Sequence, residues 1–119
     1  MRLVWLSCAL IISAGLAVLH YYALTESLYW YYVWLDVPVH FIGGLAVAML
    51  LIGVLKVFRP WVFLVGMAAV VAGWELFELA IHTTRETNFV FDTALDLLMG
   101  TLGALMAYIL ARFTLWRSA

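Results

Sequence analysis

The sequence predicts an all-α, polytopic membrane protein: one four-transmembrane-helix bundle with both termini in the cytoplasm. Three observations carry that prediction. The 119 residues are 68% hydrophobic and only 11% charged, with a mean hydropathy of +1.11. A soluble domain is nearer half apolar and about a quarter charged, so too little polar surface remains here to cover a water-soluble globule. Four segments reach the roughly 20 apolar residues that cross about 30 Å of hydrocarbon. Nearly all the basic residues then fall on one side of the hairpin arrangement these segments make. The length leaves no room for a second domain, so residues 1–119 read as a single four-span unit.

The first span covers residues 3–24, with Arg2 before it and Thr25-Glu26-Ser27 after it. Its apolar run exceeds the usual core of a signal peptide and no small-x-small cleavage motif follows, which makes it a span. The second runs from about 33 to 57 and is closed by Lys56, Arg59 and Pro60. Pro38, near its start, begins the regular helix without bending it. The third covers 61–81 and ends in residues 82–88, the most polar stretch of the chain. The fourth covers about 90–115, with Arg112 and Arg117 at its end. Trp5, Trp30, Trp34, Trp61 and Trp116 fall near span ends, as interfacial aromatic belts do. Arg2, Lys56, Arg59, Arg112 and Arg117 share one side, against Arg85 alone on the other. The positive-inside rule therefore places both termini in the cytoplasm. Cys8 is the single cysteine; it excludes an internal disulfide or a thiolate metal cage and reads as an inert packing residue. The net charge of −1 lacks the basic stripe a nucleic-acid partner needs.

Six ionisable side chains lie within these spans: Asp36 and His40 on the second, Glu75 and Glu78 on the third, Asp92 and Asp96 on the fourth. Such groups are costly in a bilayer and normally face a bundle interior, where they mark an ion, proton or substrate site. The orientation above puts all six at the extracytoplasmic end. A rise of about 1.5 Å per residue sets Asp36, Glu78 and Asp92 roughly one turn below the interface and His40, Glu75 and Asp96 about one turn deeper. Within each pair the spacing of three or four residues puts both side chains on one helix face. His20 and His82 add a fourth wall to an outward-opening pocket. Five carboxylates at close range in a low dielectric cannot all be ionised; either several are protonated, or Arg85 folds in, or a cation is bound. Oxygen ligands with one or two imidazoles suit Mg²⁺, Ca²⁺ or Mn²⁺ and also admit Zn²⁺ or iron. Gly43, Gly44, Gly66, Gly73, Gly100 and Gly103 allow close helix approach, and the Gly43-Gly44 pair, just after His40, brings another backbone near the site. Plainer readings stay open beside these. The acids serve as structural hydrogen-bonding partners, Asp36, Glu78 and Asp92 are solvated near the interface, and His20, His82 and Arg85 are interfacial.

The motif series Asp36-Val-Pro-Val-His40-Phe41-x-Gly43, Trp74-Glu75, Asp92-Thr-Ala-Leu-Asp96-Leu and Gly103-Ala104 resembles the VanZ-like membrane superfamily, with the nearer likeness to its YjdF-like inner-membrane proteins. It covers the second to fourth spans, about two-thirds of the chain. This chain has Val37 where the pattern often has Lys, Glu78 where it tends to have Gln, and Gly100 where it tends to have Asn. The resemblance implies a small prokaryotic protein of the cytoplasmic (inner) membrane and cell envelope. It sets Asp36, His40, Glu75, Asp92 and Asp96 at motif positions without assigning them a reaction.

The leading functional reading is a divalent-metal site facing the extracytoplasmic leaflet and acting on a membrane lipid or envelope precursor, as a metal-dependent hydrolase would. His40, Glu75 and Asp96 would hold the metal, and Asp36, Glu78 or Asp92 would position or deprotonate a water, since bound metals generate nucleophiles at neutral pH. Two other readings remain. One is a proton or cation conduit built by a homo-oligomer, because the inner halves of the spans (46–55, 62–71 and 105–111) carry no polar side chain but Tyr108. The other is a structural or assembly protein whose polar cluster locks helices together.

Overall fold

A computed structural model describes the backbone of residues 1–55, 59–80 and 89–117, and the side chains of all of these but 77–79, 89, 90 and 92. Among the described residues the chain is all-helical, with no strand. The helices are α1 (Arg2–Thr25), the single turn α2 (Leu28–Tyr31), α3 (Asp36–Val54), α4 (Pro60–Ala80) and α5 (Phe89–Phe113), with a 3-10 turn at Val33–Leu35 leading into α3. Three stretches, Arg2–Thr25, Val33–Val54 and Thr93–Phe113, are long and apolar enough to cross a membrane; Pro60–Leu76 of α4 is a shorter apolar helix.

Pro38 is the third residue of α3, a first-turn position where its missing N–H forfeits no helical bond. Residues 28–32, read from sequence as a link, and 33–35, read as the start of the second span, are two short turns of aromatic and apolar side chains. They are set off from α1 by Ser27, which takes the left-handed φ of 56°. Hydroxyls inside the spans return their protons to the preceding turn: Ser13 Oγ donates to Ala9 O at 2.8 Å and Thr101 Oγ1 to Leu97 O at 2.7 Å. Hydrocarbon offers no other partner for such groups.

Helix α3 is the centre of the molecule, packed against α5 on one side and α1 on another. The core joins Trp5 and Ala9 of α1, Ala48, Met49 and Ile52 of α3, Phe63 and Met67 of α4, and Ala104, Ala107 and Ala111 of α5. Small side chains dominate it, because van der Waals contact between close backbones replaces the hydrophobic effect between spans. At the far end of α3, Trp5 Nε1 donates to the carbonyl of Met49 at 2.7 Å, and the Arg2 guanidinium donates to Gly53 O at 2.8 Å and Leu55 O at 3.0 Å. The start of α1 and the end of α3 thus lie together. Large apolar side chains such as Leu3, Ile11, Leu64, Val65, Phe91 and Phe113 point outward, which suits a lipid surround. Cys8 is exposed on this outer surface, not packed inside as the sequence suggested, because α1 turns little of its circumference toward its neighbours.

Candidate metal centre

The periodicity that builds α3 and α5 also builds the site. Side chains on a helix lean toward its N-terminus, so His40 reaches back one turn to Asp36, and its Nε2 lies 3.2 Å from Asp36 Oδ1. The same nitrogen lies 3.4 Å from Asp96 Oδ2 on α5. One atom from each of the three residues falls within 4.8 Å of the other two. Asp96 is 7% exposed, and among the described residues it is the buried polar group of the protein. A buried carboxylate needs an opposite charge or a donor beside it, and the imidazole stands there.

The trio has the dimensions of a coordination edge. Metal–ligand bonds of about 2.0–2.2 Å in a tetrahedron put neighbouring ligand atoms roughly 3.3–3.6 Å apart, close to both contacts of His40 Nε2. Three protein ligands leave a tetrahedral ion one position for water or substrate. Two carboxylates with one imidazole form an oxygen-rich set.

The other residues singled out from sequence are not members of this close trio or lie outside the described residues. Two expected ligands, His40 and Asp96, meet, and the third member of the group is Asp36, expected to act on water. Glu75 is half-buried on α4, next to Trp74, whose ring meets that of His20. His20 has partners of its own. Its Nδ1 shares a 2.7 Å hydrogen bond with the Tyr29 hydroxyl, and its ring meets the edge of Trp74 with centroids 6.1 Å apart. Tyr29 was not singled out from sequence, where it lay in a link rich in aromatics; Trp74 entered only as a motif position beside Glu75. Glu78 and Asp92 belong to α4 and α5, with side chains outside the described residues, and His82 and Arg85 lie outside them altogether.

Beneath the trio, α3 and α5 touch backbone to backbone. A Cβ at Gly44 would strike the carbonyl of Gly100, and one at Gly103 the carbonyl of Phe41. Close approach was expected of the Gly43-Gly44 pair; Gly44 makes it, whereas a Cβ at Gly43 would meet only Leu16 Cδ2, at 3.6 Å. No protein-family model matches the chain, and no match is found among curated proteins or solved structures.

Proposed function

We propose that this is a small integral membrane protein that binds a divalent metal ion between α3 and α5 through Asp36, His40 and Asp96. The observation that carries the reading is that three ligand atoms, from two helices, lie within 4.8 Å of one another. The five-to-one distribution of basic residues supports placing the site on the extracytoplasmic side of a prokaryotic inner membrane, with four spans and both termini cytoplasmic. A metal held by Asp36, His40 and Asp96 would supply activation of water at neutral pH, which favours hydrolysis of a lipid ester or phosphodiester as the chemistry. An apolar cleft of about 440 Å³ between α4 and α5, lined by Phe63, Met67, Val71, Gly100, Ala104 and Tyr108 among others, favours a lipid as the partner. Its upper limit, Gly100, lies one turn from Asp96, so a headgroup at the metal would set an acyl chain at the mouth of the cleft.

A conduit through one chain fits less well. Directly under the trio the glycine backbones close the gap, and the turns beyond are Ala48, Ile52, Ala104, Ala107 and Ala111, all buried. The His40–Asp96 contact itself favours one second reading, a helix lock, since it joins the side chains of α3 and α5 directly. Elemental analysis of protein purified with Mn²⁺ or Zn²⁺ separates the two. The metal reading expects near-stoichiometric ion in wild type, lost in Asp96→Asn and released on acidification, because protons compete for all three ligands. Wild type that stays metal-free after divalent ions are supplied would leave the lock.

A further inference from the structure

The position of the glycines relative to the trio has a functional consequence. Gly44 is one turn beyond His40, and Gly100 one turn beyond Asp96. About 6 Å of helix rise therefore separates the backbone contact from the His40–Asp96 pair. A Cβ built at Gly44 would come within 2.7 Å of Gly100 Cα and 2.8 Å of its carbonyl carbon; one at Gly103 would stand 2.7 Å from the amide nitrogen of Leu45. The atoms in the way are backbone, which cannot rotate aside as a side chain does.

We infer that Gly44 and Gly103 are positioning residues of the metal centre: by letting α3 and α5 touch, they hold His40 and Asp96 at ligand-sharing distance. This rests on the metal reading above for its purpose but not for its geometry. Restoring ordinary contact, about 3.5–4.0 Å between carbon atoms, requires the two helices to part by about 1 Å or more. The 3.4 Å contact of His40 Nε2 with Asp96 would then open past the edge that one ion with bonds of about 2.1 Å spans. Alanine is the better helix former, so local helix propensity works against any loss that follows. The effect belongs to two glycines and not to their neighbours: a Cβ at Gly43 makes an ordinary contact, and one at Gly100 or Gly73 meets nothing within 4 Å.

The test uses the full chain in lipid nanodiscs with Mn²⁺ as the probe, and Gly44→Ala, Gly103→Ala, Gly43→Ala, Gly100→Ala and Asp96→Asn beside wild type. Gly44→Ala and Gly103→Ala should weaken Mn²⁺ binding by about 10- to 100-fold, the range of changes just outside a ligand shell, while Gly43→Ala and Gly100→Ala stay at the wild-type affinity. A second readout needs no metal: the ¹⁵N resonance of His40 Nε2 should move in Gly44→Ala toward its position in Asp96→Asn and stay put in Gly43→Ala. Wild-type affinity and an unmoved resonance in Gly44→Ala would overturn the inference. Misfolding of both Gly44→Ala and Gly103→Ala would overturn it too, by making the contact a requirement of folding instead of the site. If wild type bound no Mn²⁺ yet the resonances behaved as described, the metal reading would fall and the positioning role would stand.

Discussion

Helix α3 is held on two sides by opposite means. Against α5 the seam works by removing side chains: Gly44 and Gly103 let backbones meet, and Ala48, Ala104, Ala107 and Ala111 continue the narrow gap. Against α1 the seam works by reach. Trp5 and Arg2 extend across a wider gap to the carbonyls of Met49, Gly53 and Leu55. The two devices have different consequences for polar groups. Where helices touch, any polar residue one turn away is forced onto its counterpart, as His40 is onto Asp96. Where long donors bridge, the partner is a backbone carbonyl and no titratable pair is created. The tight seam is therefore where chemistry can be built, and the wide seam serves stability.

The largest effect should come from breaking the tight seam's polar pair. His40→Ala removes the side chain that contacts both carboxylates and, on the proposed metal reading, should lower Mn²⁺ affinity by more than about 100-fold, beyond what changes outside a ligand shell cause. Asp36→Asn should cost less, about 10-fold, because Asp36 is more exposed than Asp96, at 34% against 8% of the side chain, and water substitutes for it. Isothermal titration with Mn²⁺ on both variants checks the order. Equal losses would show that depth in the seam does not grade the ligands.

The membrane class and the residues of the trio were visible in the sequence, because both follow from where charge sits in apolar segments. Helical spacing put Asp36 and His40 on one face, and the same argument put Asp96 on α5 at matching depth. Which acid completes the set was not visible. By depth Glu75, and not Asp36, stands level with His40 and Asp96, but periodicity along one helix says nothing about how close another helix comes. That distance is decided by Gly44 against Gly100, and the sequence offered Gly43 and Gly44 as equals. Only the rotation of α3 about its axis tells them apart. The donors of Trp5 and Arg2 were hidden for a related reason: as an interfacial aromatic and a positive-inside charge, each already had a sufficient explanation.

The wide seam should respond in stability and leave the metal alone. Trp5→Phe keeps most of the buried ring and removes the N–H that reaches Met49 O at 2.7 Å. That carbonyl is already the acceptor of its own helix, so the loss is a single interhelical bond. Side-chain hydrogen bonds between spans average about 0.6 kcal/mol and reach about 1.7 kcal/mol, and a buried bond with good geometry belongs in the upper half, at about 1 kcal/mol. Unfolding in mixed micelles measures this. A simultaneous drop in Mn²⁺ affinity would show that the two seams are coupled through α3.

The smallest effect is expected from Arg2→Gln, and it sharpens what the wide seam is. Arg2 places a positive charge on the last turn of α3, where unpaired carbonyls make the negative end of the helix dipole, an interaction of about 0.3–1 kcal/mol. It also satisfies Gly53 O and Leu55 O, the latter just past the end of α3. Glutamine keeps one donor for one of the two carbonyls and loses the charge, so a loss of about 0.5 kcal/mol should follow. Part of it should vanish at high salt even in wild type, because the group is only partly buried and its charge is screened. A salt-independent loss would assign Arg2's role to hydrogen bonding alone. A loss well above 1 kcal/mol would show that the end of α3 frays without it, and that the wide seam, too, depends on a single contact.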